Sequence, residues 1–147
     1  MASETGGISG AVTGVSPKTG IVGIGVCADA ANGPTEECVT SGASGEYTIS
    51  GLPAGEYYVE FFTPSKSGLD YVGQYFEGAT SFENATKVTV AAGVTTPGID
   101  AELEKGAEIS GVVTSAAAGK AAIKGIAVCA FPKEGSTGSF GCAETDA

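Results

Sequence analysis

The sequence predicts an all-β protein, a seven-stranded β-sandwich followed by a partial second repeat. Three observations support this prediction. Short segments alternate apolar and polar residues, as in "GEYTISGLPAGEYYVEF" at 45–61, which is the pattern of half-buried strands. The 147 residues include 24 glycines, which favours many turns between short strands. Finally, two motifs of the N-terminal part recur near the C-terminal end, which indicates an internal repeat.

Period-two alternation places the strands in order along the chain. The predicted strands are 7–15, 21–29, 38–41, 46–52, 56–63, 86–92 and 98–104. Pro53-Ala54-Gly55 forms the turn between the fourth and fifth, because proline fixes φ for a turn and glycine accepts positive φ. No period is found from 64 to 84, and no helix is predicted.

The same alternation predicts which side chains enter the core. The inward-facing positions of the second, fourth and fifth strands are Ile24, Val26, Ala28, Tyr47, Ile49, Leu52, Tyr57, Val59 and Phe61. Cys27 and Glu60 fall between such positions, so we expect both to point away from the main core.

The repeat defines the domain organisation. "ISGAVTG" at 8–14 returns as "ISGVVTS" at 109–115, and "GIGVCADA" at 23–30 returns as "GIAVCAFP" at 125–132. We therefore expect an N-terminal tail at 1–7, a complete repeat at 8–105 and the first half of a second repeat at 106–147. Two or three strands alone are marginally stable in water. The sequence leaves open whether 106–147 packs on the first repeat, pairs with another chain, is partly disordered, or only reflects where the printed sequence stops.

Four cysteines allow three pairings. Because each repeat carries one pair at similar spacing, Cys27 with Cys38 and Cys129 with Cys142 is the natural choice. Zinc is a weaker interpretation, since neither pair has Cys-x2-Cys spacing and the chain has no histidine. Paired cysteines in a small β domain favour an oxidising, extracellular compartment.

Charge and patterning exclude several partners. Seventeen acidic residues against seven lysines give a net charge of −10, which repels nucleic-acid phosphates and anionic membrane surfaces. No apolar run is long enough for membrane insertion. "MASETGGIS" lacks the features of a signal peptide, so the chain is either cytosolic or a piece of a longer exported protein.

Catalysis and cofactors are not predicted. Without histidine the chain has no Ser-His or Cys-His nucleophile pair, and it has no arginine to clamp an oxyanion. Its paired carboxylates alternate on exposed faces and lack the burial that a perturbed catalytic group needs. We expect a protein that is not an enzyme and has no catalytic, cofactor-binding or metal site.

An aromatic segment is the remaining candidate for binding. Tyr71, Tyr75 and Phe76 lie within "YVGQYFEGATSF", where exposed rings could stack on sugars or contact a surface protein. Alternatively, the rings fold back as a small satellite core that holds down a long loop. The second interpretation is favoured, and a carbohydrate-binding module remains the alternative function.

The strand opening "ISGAVT", the glycine-bounded "GIGVCA", "SGEYTISGLPAGEY" and "VTVAAGVTTPGIDAEL" together resemble the carboxypeptidase regulatory-like repeat. This family has a Greek-key, transthyretin-like or prealbumin-like sandwich, similar to the collagen-adhesin B-type repeats of bacterial surface proteins. The likeness covers 8–104 fully and 109–147 as a first half. The isopeptide bond of some B-type repeats is not expected here, because the first strand has no lysine.

The resemblance implies tandem repetition in an exported bacterial protein at the cell surface. It further implies a structural or interaction module for spacing, adhesion or strand-mediated filament assembly. The expected partners are other repeats of the same protein or other copies of the chain, with β-strand pairing as one mode of contact.

Overall fold

A computed structural model describes residues 4–131, 133 and 141–146. The chain divides into two compact units, Met1–Gly106 and Ala107–Ala147, and each is described by itself. In the described part of the chain, no helix is long and apolar enough to cross a membrane.

The first unit is a β-sandwich, which confirms the predicted fold class. Its strands are β1 (Gly6–Gly14), β2 (Gly25–Ala30), β3 (Glu36–Thr40), β4 (Glu46–Leu52), β5 (Gly55–Phe62), β6 (Gln74–Tyr75), β7 (Val88–Val90), β8 (Thr95–Thr96) and β9 (Ala101–Leu103), and a 3-10 turn covers Phe82–Asn84. In one sheet β1 pairs antiparallel with β4 on one side and parallel with β8 and β9 on the other. The second sheet runs β3-β2-β5, and β6 and β7 both pair with β5.

Several strand bounds differ from the sequence prediction: β3 is Glu36–Thr40 rather than 38–41, and the strands predicted at 86–92 and 98–104 are shorter. Three further differences have a physical reason. The first unit has nine strands rather than seven within its described residues, because the two-residue strands β6 and β8 are too short to show a period. β1 begins at Gly6, so Gly6 and Gly7 belong to the sandwich and not to a tail. β2 begins at Gly25 rather than at residue 21, because Gly23 turns the chain with φ at +89°.

The core lies between the two sheets and contains the side chains that alternation predicts. Ile24, Val26, Ala28, Tyr47, Ile49, Leu52, Tyr57, Val59 and Phe61 are all buried, at 0–4% exposure. The rings of Tyr47 and Phe61 meet edge to face at 5.9 Å. The Tyr47 hydroxyl donates a hydrogen bond to the Ile99 carbonyl at 2.5 Å. Burial, with the nearby Asp100 charge, raises the pKa of Tyr47 well above its ordinary value, so the phenol stays a donor.

The segment before β9 lies so close to β1 that one position of β1 must be glycine. A Cβ at Gly10 would lie 2.0 Å from the Ile99 carbonyl oxygen, far inside contact distance. The adjacent Ala11 amide donates to the Asp100 carboxylate at 2.8 Å, which holds the segment before β9 against β1. Lys18 and Glu102 form an ion pair on the same edge.

The second unit contains a two-stranded antiparallel sheet, β10 (Ala127–Ala130) with β11 (Gly141–Glu144). An isolated bridge joins Thr114 to Ala122. The segment 109–113, which corresponds to β1, is not assigned as a strand. Among the described residues, it has none of the strand pairing that β1 has on both sides in the first unit.

Candidate functional site

Both disulfides staple antiparallel strands at directly opposed positions. Cys27 of β2 faces Cys38 of β3, and Cys129 of β10 faces Cys142 of β11. Each pair is bonded, with the Cα atoms 4.1 Å apart. The pairing is the one that the repeat predicts. Cys27 is buried but lies outside the core cluster, on the outer face of its sheet.

A hydroxyl bridge beside each disulfide is the same in both units. In the first unit, the Ser41 hydroxyl accepts from the Ile24 amide at 2.9 Å and donates to the Ile21 carbonyl at 2.6 Å. In the second, the Thr145 hydroxyl accepts from the Ile126 amide at 2.9 Å and donates to the Ile123 carbonyl at 2.7 Å. The repeat therefore reproduces the hydrogen bonds of this hairpin as well as its sequence.

Carboxylates gather on the outer face of the second sheet, next to the first disulfide. Glu60 of β5 lies opposite Cys27, and Asp29 lies opposite Glu36. Partial burial, followed by the charges of Asp29 and Glu36, raises the pKa of Glu60, although a hydrogen bond from Tyr75 opposes the shift. Burial and the Glu36 charge likewise raise the pKa of Asp29. Repulsion between the negative charges of Asp29, Glu36 and Glu60 therefore disfavours the state in which all three carboxylates are ionised.

The aromatic residues proposed as ligand contacts occupy different environments. Tyr71 and Phe76 are partly buried and pack against the core. Tyr75 is half-buried on β6, opposite Glu60. A glycan or partner contact through these three residues stays a prediction.

One aromatic contact was missed from the sequence. The Phe82 ring is 54% exposed and meets the Tyr58 ring edge to face at 5.5 Å, while the Lys87 ammonium lies 6.0 Å from the Tyr58 ring centroid. The only available signal was that Tyr58 alternates outward on β5. Nothing in the aperiodic stretch 64–84 indicates that Phe82 returns to meet it.

Among the described residues, possible metal ligands cluster at one place. In the described ranges, Cys27, Glu36 and Cys38 are the one group whose ligand atoms lie within 4.8 Å of one another. Both sulfurs are joined in the disulfide, so neither is a thiolate, and the group does not form a metal site in this state.

A shallow depression of about 230 Å³ lies between the loop after β2 and the turn before β5. Glu56 and Tyr57 are its titratable lining residues, and the Tyr57 hydroxyl donates to the Pro53 carbonyl at 2.8 Å. Glu56 is the one carboxylate among the residues that line this depression.

The second unit exposes apolar side chains whose counterparts are buried. Ile109 is 84% exposed where Ile8 is 0%, and Val128 is 49% exposed where Val26 is 0%. Ile126 is 39% exposed. The exposure of these side chains distinguishes the described part of the second unit from the first.

The chain is similar to three bacterial proteins of known structure. GBS52, the minor pilin of Streptococcus agalactiae, is 22% identical, with a TM-score of 0.51 over 75% of this chain and 48% of that chain. The TIE protein of Bacillus anthracis is 18% identical, with a TM-score of 0.50 over 95% of this chain and 24% of that chain. The pilus 2b backbone protein of group B streptococcus matches at 23% identity and a TM-score of 0.44, over 69% of this chain and 41% of that chain.

The chain thus spans less than half the length of each of these proteins. No protein-family model matches it, and no curated protein does. At such identities the likeness establishes the fold alone, which is the β-sandwich seen in a bacterial minor pilin.

Proposed function

We propose that the chain is a non-catalytic structural and interaction module of an extracellular tandem-repeat surface protein, of the carboxypeptidase regulatory-like or collagen-adhesin B-type kind. Its role is to space, and to join to one another, the repeats of a surface appendage. Its partners are other repeats of the same kind.

The observation that carries this proposal is the direction of the chain through the first unit. β1 and β9 are parallel neighbours, with Val12 opposite Ala101 and Gly14 opposite Leu103. The chain therefore enters at one end of the sandwich and leaves at the other, as head-to-tail repeats require. Tension along the chain loads the β1–β9 hydrogen bonds in shear, so they must break together rather than one by one.

Disulfides and repetition support the same role. Each unit carries a cross-strand disulfide within the same hairpin, which suits an oxidising exterior. The likeness of the fold to a minor pilin of a Gram-positive bacterium is consistent with a surface appendage. The chain without histidine and arginine offers little for catalysis.

Force spectroscopy tests the proposal. The full chain, held by its two ends in a tandem polyprotein, should unfold its first unit at a high and reproducible force. A thiol reductant should lengthen the released chain by roughly 35 Å, the extended length of the 11-residue span that the first disulfide closes. Gly10→Ala, which forces a Cβ onto the β9 side of β1, should lower the unfolding force.

A low unfolding force that Gly10→Ala leaves unchanged would contradict the spacer role. A glycan array gives a second, independent check. Binding of a sugar that Tyr75→Ala abolishes would replace the spacer with the carbohydrate-binding alternative.

A further inference from the structure

The two cysteines of the first disulfide differ in their access to solvent. Cys38 lies on β3, the edge strand of the second sheet, and is exposed. Cys27 lies on β2, between β3 and β5, and is 4% exposed. Thiol–disulfide exchange begins when a thiolate attacks one of the two sulfurs, so access decides which sulfur is attacked. The exposure of Cys38 favours attack there, with Cys27 as the leaving group.

Carboxylates surround this disulfide on the outer face of the sheet. The Glu36 Oε1 atom lies 3.7 Å from the Cys38 Sγ atom, and Glu60 lies directly opposite Cys27 on the neighbouring strand. Asp29 lies opposite Glu36 and, two residues beyond Cys27, on the same face of β2. Next to burial, the charge of Glu36 contributes to the raised pKa of both Asp29 and Glu60. The three groups are therefore close enough to act together on a charge at the disulfide.

Negative charge here opposes both halves of an exchange step. The attacking thiolate is an anion and must approach Cys38 past Glu36, so any further negative charge on the attacking molecule adds to the repulsion. The departing Cys27 sulfur takes the electron pair and becomes a thiolate beside Glu60. A leaving group whose negative charge is disfavoured leaves more slowly.

We propose that the first disulfide is a charge-selective exchange site, which thiols carrying an ammonium group open at the Cys38 sulfur and from which the neighbouring carboxylates exclude anionic thiols. In the first step, the external thiolate bonds to Cys38 Sγ, the bond to Cys27 breaks, and Cys27 leaves as a thiolate that takes a proton from water. A second external thiolate then displaces Cys38 from the mixed disulfide. Two external thiols are thereby oxidised to one disulfide, and the disulfide of the protein is reduced. This inference goes beyond the proposed function and does not rest on it.

The second hairpin provides a comparison within the same chain. The segment 21–41 has three acidic residues and no lysine, net −3, whereas 123–145 has two acidic residues and two lysines, net 0. In the repeat, phenylalanines 131 and 140 replace Asp29 and Glu36, although Glu144 adds one carboxylate. The ratio of the rates of two thiols at one disulfide cancels a difference in exposure between the disulfides. This ratio therefore reports the charge around each disulfide.

The test uses the full chain and three thiols of different charge: aminoethanethiol, mercaptoethanol and mercaptoethanesulfonate. Alkylation, proteolysis and mass spectrometry follow each disulfide separately. Per thiolate present, aminoethanethiol should reduce the first disulfide about tenfold faster than mercaptoethanesulfonate at low ionic strength, with mercaptoethanol between them. At the second disulfide the same two rates should agree within about twofold. Added salt should bring the rates at the first disulfide together, and the trapped mixed disulfide should carry the thiol on Cys38.

Two variants separate the local carboxylates from the net charge. Glu36→Gln should raise the rate with mercaptoethanesulfonate about threefold, because it removes the charge next to the attacked sulfur. Glu104→Gln is the matched control. It removes the same charge from an exposed position after β9, in the other sheet, and should leave the rate unchanged.

Four results would overturn the inference: a mixed disulfide on Cys27, equal rates per thiolate with the three thiols, the same charge dependence at both disulfides, or equal effects of the two variants. A rate that does not depend on thiol concentration would also overturn it, because unfolding and not attack at Cys38 would then limit the reaction.

Discussion

At the scale of single residues, Gly10 has no room for a side chain, whereas the equivalent glycine of the second repeat does. A Cβ at this residue would meet the Ile99 carbonyl at 2.0 Å, while its counterpart Gly111 has nothing within 4 Å. We expect Gly10→Ala to lower the free energy of unfolding by about 1–3 kcal/mol, as overpacking does. Gly111→Ala should change it by less than about 0.5 kcal/mol. Urea unfolding of both variants measures the difference, and equal effects would show that β9 does not approach β1 this closely.

Glu60 gives the fold a pH dependence whose sign follows from its raised pKa. Because the folded state holds this proton more tightly than the unfolded chain, stability falls as the pH rises from the ordinary value of 4.5 through the raised one. Glu60→Gln should therefore stabilise the protein near pH 7, by less than about 1 kcal/mol since the group is partly exposed. Near pH 3, where both states are protonated, the variant should have no effect. Thermal unfolding at the two pH values measures this.

Glu37→Gln is the matched control for that experiment, because Glu37 is an exposed carboxylate on β3 of the same sheet. It removes the same charge without relieving the crowding around Glu60. A stabilisation of equal size in both variants would mean that the net charge of −10, and not the local cluster, governs the pH dependence.

At the scale of elements, the hydroxyl bridge of Ser41 holds the turn that leads into β2. Its side chain is buried and satisfies one amide and one carbonyl. Ser41→Ala leaves both groups without their partner and should lower the free energy of unfolding by about 1–3 kcal/mol. Ser41→Thr should retain most of the stability, because Thr145 makes the same bridge in the second unit. Denaturant unfolding compares the two variants. Similar decreases in the free energy of unfolding would mean that the volume of the side chain at position 41, and not its hydrogen bonds, determines the stability.

Sequence alone predicts the elements where alternation is long. β4 is predicted at its observed bounds and β5 within one residue, because the buried residues 47, 49, 57, 59 and 61 keep a strict period of two. The start of β2 could not be predicted so well, because Gly23 interrupts a run of residues that looks continuous. β6 and β8 are defined by the strands they pair with, and two residues have no period of their own.

The candidate site is less predictable than the strands, because it too depends on which strands pair and in which register. The disulfide partners follow from the repeat, and the outward direction of Glu60 follows from alternation. The crowding of Asp29, Glu36 and Glu60 depends on the register of three strands, which the sequence does not specify. Long-range register also places Tyr75 beside Glu60.

At the scale of the whole molecule, one chain carries two versions of the same hairpin, one inside a complete sandwich and one with fewer partners. Local opening free energy depends on buried contacts and on strand pairing, so the two versions should differ in hydrogen exchange. We expect the amides of β2 to be protected close to the level of global unfolding and those of β10 to exchange at least a hundredfold faster. "GIGVCADA" and "GIAVCAFP" share five of eight residues, so the intrinsic exchange rates of the shared positions are similar.

Exchange measured by mass spectrometry on peptides covering 23–30 and 125–131 provides this comparison within a single sample. Reduction should accelerate exchange in both hairpins, because each loses its cross-strand staple. Equal protection of the two hairpins in the oxidised chain would contradict the expectation. It would require that the exposed side chains of Ile126 and Val128 be covered in solution, because a two-stranded sheet with an open apolar face is only marginally stable alone.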